Sequence, residues 1–389
     1  MLYYLKYPSH DIEKIQELLI YFFDKVTVLA PTSFDSNVLF PAWYNLAPIH
    51  KMNKVEALLT EFIGFPLIQR NEIIAAFNKA NNIQALFSNA TDHIPTAKDF
   101  DKYNWKISDG VQLTLKDFLN QLFLHLYKDQ LGNKKSSFSK SIGTNLAQQY
   151  EAFLELNTVD FKVNVVCPFC GLEKMRDATN IRKPDHDHLL PKGDDLFVFS
   201  AVNIKNLFPI GSDCNIKKHT SVLLYEDDNL QNRTIAFYPF ESPPHPFEQY
   251  TIILNCQEIP NLKNSYKGKW IVEIEPKDIN DNITKSKIET WDRVFGIKER
   301  IAKVISDSNK SFLDLDIEIT RINQESELDE KLKNLIKKYP MEYIYLSTIV
   351  DFVPKRIFFE WIQREPQFLR DYIPSNLGLS IVPEVDLSF

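Results

Sequence analysis

The stretch "PDHDHLLPKG", Pro184 to Gly193, sets two Asp-His pairs back to back and follows them with a proline and a lysine. Histidine is scarce, 8 in 389 residues, so two within three positions single this stretch out. An imidazole titrates near neutrality and a carboxylate is a hard oxygen ligand. The pair Asp187-His188 therefore joins a metal ligand to a proton acceptor. For His188 alone the bland reading is a packed or surface histidine, and only its surroundings can overturn it.

Upstream lies "CPFCG", with Cys167 and Cys170 in a C-x-x-C at a turn after a β-prone run. Two thiolates at that spacing can hold one tetrahedral metal, but a redox dithiol or two buried thiols fit the same four residues. Downstream come "NLFPI", in which Asn206 opens an apolar turn, and "CNIKK", with Cys214, Asn215 and Lys218. Asn206 precedes Cys214 by eight residues.

The rest of the chain frames this centre. Hydrophobic residues make up 44%, charged residues 25% and aromatics 13%, with only 10 glycines, which describes a well-packed globular chain without linkers or repeats. The first ~155 residues read mostly as helix. "SHDIEKIQELLIYFFDKV" carries Ile12, Ile15, Leu18, Leu19 and Phe22 at helical spacing, with Ser9 or Asp11 as caps. "NKVEALLTEFIGF" and "TLKDFLNQLFLHLYKDQL" repeat the pattern. From Phe161 short β-prone runs appear ("FKVNVVC", "RTIAFYPF", "YTIILNC", "KWIVEIE"), and helix returns near Lys285. The expectation is an α+β fold in three parts: a helical region over 1–155, a mixed centre over 156–280 and a helical region over 281–389.

No signal peptide and no apolar run of membrane-spanning length is visible, and four cysteines are too few for a secreted scaffold. A cytoplasmic setting is expected. The net charge of −7 argues against a protein that coats nucleic acid with its whole surface, although the stretch from Asp160 to Thr220 is more basic than the whole.

Taken together, Cys-x-x-Cys, Asp-His-x-x-Pro-Lys, and Asn-Leu before Cys-Asn-x-x-Lys resemble the HNH endonuclease pattern over about Val165 to Thr220. "WDRVFGIKERI" is similar to a helix often found after such domains. The resemblance implies a ββα-metal core. It makes His188 the general base that activates water and Asp187 a ligand of one divalent ion, Mg²⁺ or Mn²⁺. Asn206 would brace the loop that orients the base, and Asn215 would be the second protein ligand, in an H-N-N variant. Lys192 and Lys218 become substrate contacts, Lys218 near the start of the closing helix. Proteins with this layout occur in bacterial anti-phage systems, some of them Septu-like with a partner ATPase. The resemblance therefore implies DNA as substrate and such an ATPase as partner.

The chain departs from the family's knuckle in one place. The first thiol of a second C-x-x-C would fall at Gly211, so Cys167, Cys170 and Cys214 need another ligand for Zn²⁺. His186, His219 or Cys256 are the alternatives, or zinc is absent and the thiols are packed. Asp185 and His186 stand as support behind the second pair, with a turn-forming Asp185 the equal alternative. Lys217 and His219 are either phosphate contacts or a solvated helix end. A non-catalytic zinc-knuckle scaffold is the competing function.

Overall fold

Apolar residues at helical spacing dominate, and most of them fold as read. The computed structural model describes residues 1–46, 51–158, 165–175, 186–193, 195–219, 221–227, 229–259, 268–307, 330, 333, 334 and 336–365. The architecture is α+β, helices with small two-stranded antiparallel sheets. The chain divides into two compact units: Met1–Tyr3 with Val166–Lys174 and Pro244–Phe389, and Tyr4–Val165 with Met175–Pro243. Among the described residues, no helix is long and apolar enough to cross a membrane.

The unit built on Tyr4–Val165 and Met175–Pro243 contains α1 (Lys14–Leu29), α2 (Ser36–Leu39), α3 (Ala42–Asn45), α4 (Asn53–Ile63) and α5 (Leu67–Asn81). It continues with α6 (Ile83–Ser88), hairpin β1–β2 (Asn104–Ser108, Val111–Thr114), α7 (Leu115–His125), α8 (Ser137–Ile142) and α9 (Leu146–Leu156). The second hairpin, β3–β4 (His186–His188, Leu207–Pro209), and α10 (Ser212–Lys218) complete it. The cap is neither Ser9 nor Asp11. His10 caps the 3-10 turn Asp11–Glu13 that leads into α1, its ring accepting from the Ile12 N–H while Glu13 reaches back to the His10 N–H. The β1–β2 hairpin breaks the expected helical run. Its turn is Asp109-Gly110, both at positive φ (53° and 79°), the pairing a tight hairpin turn requires.

One aromatic core fills this unit and reaches the centre of the sequence. Phe23 packs on Phe77 (4.7 Å between ring centroids), Phe77 on Phe123, and Phe123 on Phe199 at 5.4 Å. Val198, Phe199, Ala201, Val202, Ile204 and Leu207 are buried in the same cluster as α1, α4, α5 and α7. The helices thus hold the loop between β3 and β4 from behind. Asn81, at the end of α5, donates to the Phe199 carbonyl (3.1 Å), and Asn203 donates back to Asn81 Oδ1 at 3.0 Å.

"RTIAFYPF" is not a strand. Its Arg233 instead donates to the carbonyls of Asp92, Leu224, Leu86 and Asn89, and Ala236 N–H goes to Phe87 O. A single bridge from Arg233 to Tyr225 is as far as its ladder goes, because the rest of the backbone finds its partners in loops. Arg233→Ala is expected to lower unfolding free energy by about 2 kcal/mol, because it strips several carbonyls of a charged donor. Arg233→Lys should recover less than half, since an ammonium cannot reproduce the planar fork. Denaturant melts of the three proteins check this.

The other unit pairs β5 (Tyr250–Glu258) with β6 (Lys269–Pro276). It adds α11 (Pro246–Gln249), α12 (Asn282–Phe295), α13 (Ile297–Asp307), α14 (Tyr343–Thr348) and α15 (Phe352–Arg364). The run through "WDRVFGIKERI" is two helices, broken at Gly296 in the left-handed region (φ 59°). Trp270 of β6 packs edge-on against Trp361 of α15 (4.8 Å).

Candidate active site

Strand β3 consists of His186, Asp187 and His188 alone, paired with Pro209, Phe208 and Leu207 of β4. α10 follows two residues after β4, giving the order strand, loop, strand, helix. Gly211, where a thiol was missing, is the residue before α10, and its carbonyl accepts the Asn215 N–H at 2.9 Å.

His188 is 2% exposed. Its Nε2 lies 2.9 Å from the Ala201 carbonyl, which can only accept, so Nε2 carries the proton and Nδ1 holds the lone pair. Nδ1 is 3.5 Å from Lys192 Nζ. The imidazole meets the Tyr127 ring edge to face at 4.8 Å, and Lys192 Nζ stands 4.1 Å over the same ring. Burial, then the Lys192 charge, hold the His188 pKa well below the ordinary histidine range. Burial also lowers the Lys192 pKa, Asp187 opposing and Lys128 and Lys218 adding to the shift.

Asn206 is completely buried. Its Oδ1 accepts from the Leu190 N–H (2.8 Å), and its Nδ2 donates to the carbonyls of Leu190 and Ser200, both at 3.1 Å. One amide therefore ties the segment after β3 to the turn that carries the Ala201 carbonyl. His188 is thus oriented through Ala201, and Ala201 is placed by Asn206 and the Phe199 packing.

Asp187 accepts from the His188 N–H through Oδ1 (2.8 Å), and its Oδ2 lies 2.7 Å from Lys218 Nζ. Those two atoms are poorly aligned, and neither makes a hydrogen bond. Lys218 is the last residue of α10, not near its start, and is entirely buried. Asn215 is half-buried on the same helix, three residues earlier and so on a shared face. The buried, hydrogen-bond-free Oδ2 is an oxygen of the kind that a divalent ion takes as a ligand.

His186 is set apart from this chemistry. Its Nε2 faces Gln149 Oε1 of α9 at 3.1 Å, its ring meets Tyr150, and burial pushes its pKa down to about 3. Asp185 lies outside the described residues.

The cysteines make a second centre. Cys167 to Glu173 form a tight turn, with Cys167 N–H donating to Glu173 O and Gly171 N–H to Cys167 O, both at 2.9 Å. Gly171 sits at φ 68°, a conformation that favours glycine. The Leu172 N–H points at Cys170 Sγ (3.3 Å). Trp291 of α12 donates to Phe169 O (2.7 Å), and Asp351 N–H to Gly171 O at 3.0 Å. Within one unit, one ligand atom each from Cys167, Cys170 and Glu173 lies within 4.8 Å of the others. Thiols and a carboxylate so gathered can hold a metal such as zinc. The carboxylate beside the two thiols is that of Glu173, a residue outside the set His186, His219 and Cys256, while the buried Cys214 belongs to the other unit. Cys256, on β5, directs its thiol to Glu258 O (3.2 Å), and burial raises its pKa to about 11. Cys170→Ser is expected to reduce bound zinc from about one equivalent per chain to a small fraction, read by metal mass spectrometry on the purified protein.

Sequence reasoning missed Glu173 and Tyr127. Glu173 was legible as the third residue after Cys170. Tyr127 had no local signal, because only the fold brings it to His188. No family model, curated protein or solved structure matches the chain.

Proposed function

We propose that the chain is a metal-dependent endonuclease of the HNH type that hydrolyses phosphodiester bonds in DNA. The observation that carries this reading is His188, whose Nε2 is committed to the Ala201 carbonyl and whose Nδ1 is left as an acceptor on a strand beside a carboxylate. Asn206 fixes that arrangement. In this reading His188 Nδ1 takes the proton of a water that attacks phosphorus, while the bond to the leaving oxygen breaks. Lys192, beside Nδ1, faces the developing negative charge. Asp187 and Asn215 would hold Mg²⁺ or Mn²⁺, which neutralises charge on the phosphate when bound. The basic surroundings of Asp187, in a chain of net charge −7, suit a local phosphate site.

Bacterial anti-phage defence beside a partner ATPase is the biological setting proposed with it, on the motif layout alone. The test is nicking of a supercoiled plasmid with Mg²⁺ or Mn²⁺, wild type against His188→Ala, with and without neighbouring gene products. Cleavage by wild type alone supports the reading. Identical behaviour of the two proteins under all conditions sinks it and leaves a zinc-knuckle scaffold. Parallel RNA substrates report whether the substrate class is wrong.

A further inference from the structure

Lys218 presents an unusual arrangement. Its side chain is wholly buried, its ammonium lies 2.7 Å from Asp187 Oδ2, and neither atom makes a hydrogen bond. The other Asp187 oxygen is taken by the His188 N–H. A buried ammonium is costly unless an opposite charge compensates it, and among the described residues Asp187 is its ion-pair partner. Lys192 stands close enough to interact with both Asp187 and Lys218, so the carboxylate lies in a field that is already positive.

We propose that Lys218 is a built-in counter-cation at the seat of the divalent ion, so that the ion binds Asp187 in competition with the Lys218 ammonium. This rests on reading Asp187 as an ion ligand. The competition keeps affinity for the ion low until a negatively charged group, such as a phosphodiester, takes over the ammonium. Ion and nucleic acid then bind cooperatively, and the protein alone stays in a low-affinity state.

The probe is Mn²⁺ alone, titrated into the full chain in buffer without other divalent ions, with binding followed by electron paramagnetic resonance and stability by thermal melting. Lys218→Met should bind Mn²⁺ on the order of tenfold more tightly than wild type, the scale of one charge removed at a few ångströms from a partly screened site. It should melt lower than wild type without Mn²⁺ and recover as Mn²⁺ is added, because Asp187 is otherwise left uncompensated. Lys218→Arg keeps the charge and should titrate like wild type. The double variant Asp187→Asn/Lys218→Met should melt near wild type and ignore Mn²⁺.

Equal Mn²⁺ affinity in wild type and Lys218→Met, lost in Asp187→Asn, overturns the competition and leaves the nuclease reading standing. No Asp187-dependent binding in any variant removes the ligand assignment itself. If Lys218→Met folds only when Mn²⁺ is present, the proposal gains. If it fails even with Mn²⁺ while the double variant folds, the ion cannot replace the ammonium and the proposal falls. Failure of the double variant to fold overturns it too, since Lys218 would then act through something other than Asp187.

Discussion

His188→Ala is expected to slow plasmid nicking in Mg²⁺ by on the order of 10²–10⁴-fold, and His186→Ala to stay within about tenfold of wild type. The two histidines are two residues apart on β3, so the difference comes from their partners. His188 has its protonated nitrogen fixed on the Ala201 carbonyl and its lone pair at Nδ1, beside Lys192. In the proposed reading that arrangement serves proton transfer, with a charged group next to the acceptor. The His186 nitrogen faces Gln149 of α9 and its ring meets Tyr150, which makes it a pin between β3 and that helix. Removing the pin should cost about 1 kcal/mol of stability through the lost hydrogen bond. Both variants are therefore compared at equal folded fraction, measured by circular dichroism melting. Equal losses of rate at equal folded fraction would mean that His188 is not the base.

The candidate site was legible as a local pattern in the sequence. His188, Asn206 and Asn215 were singled out by the resemblance that this pattern carries, and β3, β4 and α10 are short elements, with residues 189–206 between the two strands and a brief link from β4 to α10. What spacing could not reveal is burial. Lys218 has the right type for a phosphate contact, but only the packed helix shows its ammonium turned inward onto Asp187. Tyr127 was out of reach for a different reason: its place beside His188 depends on α7 and the turn after it packing against the loop, a tertiary contact. Among the strands, "YTIILNC" and "KWIVEIE" paired with each other, whereas "RTIAFYPF", despite similar β-propensity, formed a lone bridge from Arg233 to Tyr225 and no strand. In that run Arg233 reaches loop carbonyls and Tyr238 donates to Lys205 O at 3.1 Å. The β1–β2 hairpin could have been read from Asp109-Gly110, a turn signal outweighed by the helical periodicity on either side. The first four residues of the β-prone "FKVNVVC", 161–164, lie outside those described.

Asn206→Ala should combine a stability loss of about 3–5 kcal/mol with a rate loss in the protein that remains folded. The stability loss follows from counting partners. The Leu190 N–H loses its acceptor, and the carbonyls of Leu190 and Ser200 lose donors, in a place from which water is excluded. Each buried group left unsatisfied costs about 1–3 kcal/mol, and partial relaxation keeps the total below the sum. The rate loss follows from the same bonds. Once the turn at Ser200 is released from β3, the Ala201 carbonyl is left to the Phe199 packing, the Asn81 bonds to Phe199 and Asn203, and the turn's own backbone bonds, none of which reaches β3. The imidazole can then rotate, which moves Nδ1 away from its place, or change tautomer, which puts the proton on Nδ1. Asn206→Asp separates the two effects: it keeps an acceptor for the Leu190 N–H but loses both donated bonds and buries a charge. It should be at least as destabilising as alanine, as measured by urea denaturation. If Asn206→Ala melts like wild type, the amide does not brace this loop. If it melts lower but nicks at the wild-type rate per folded molecule, the Ala201 carbonyl is not what orients His188.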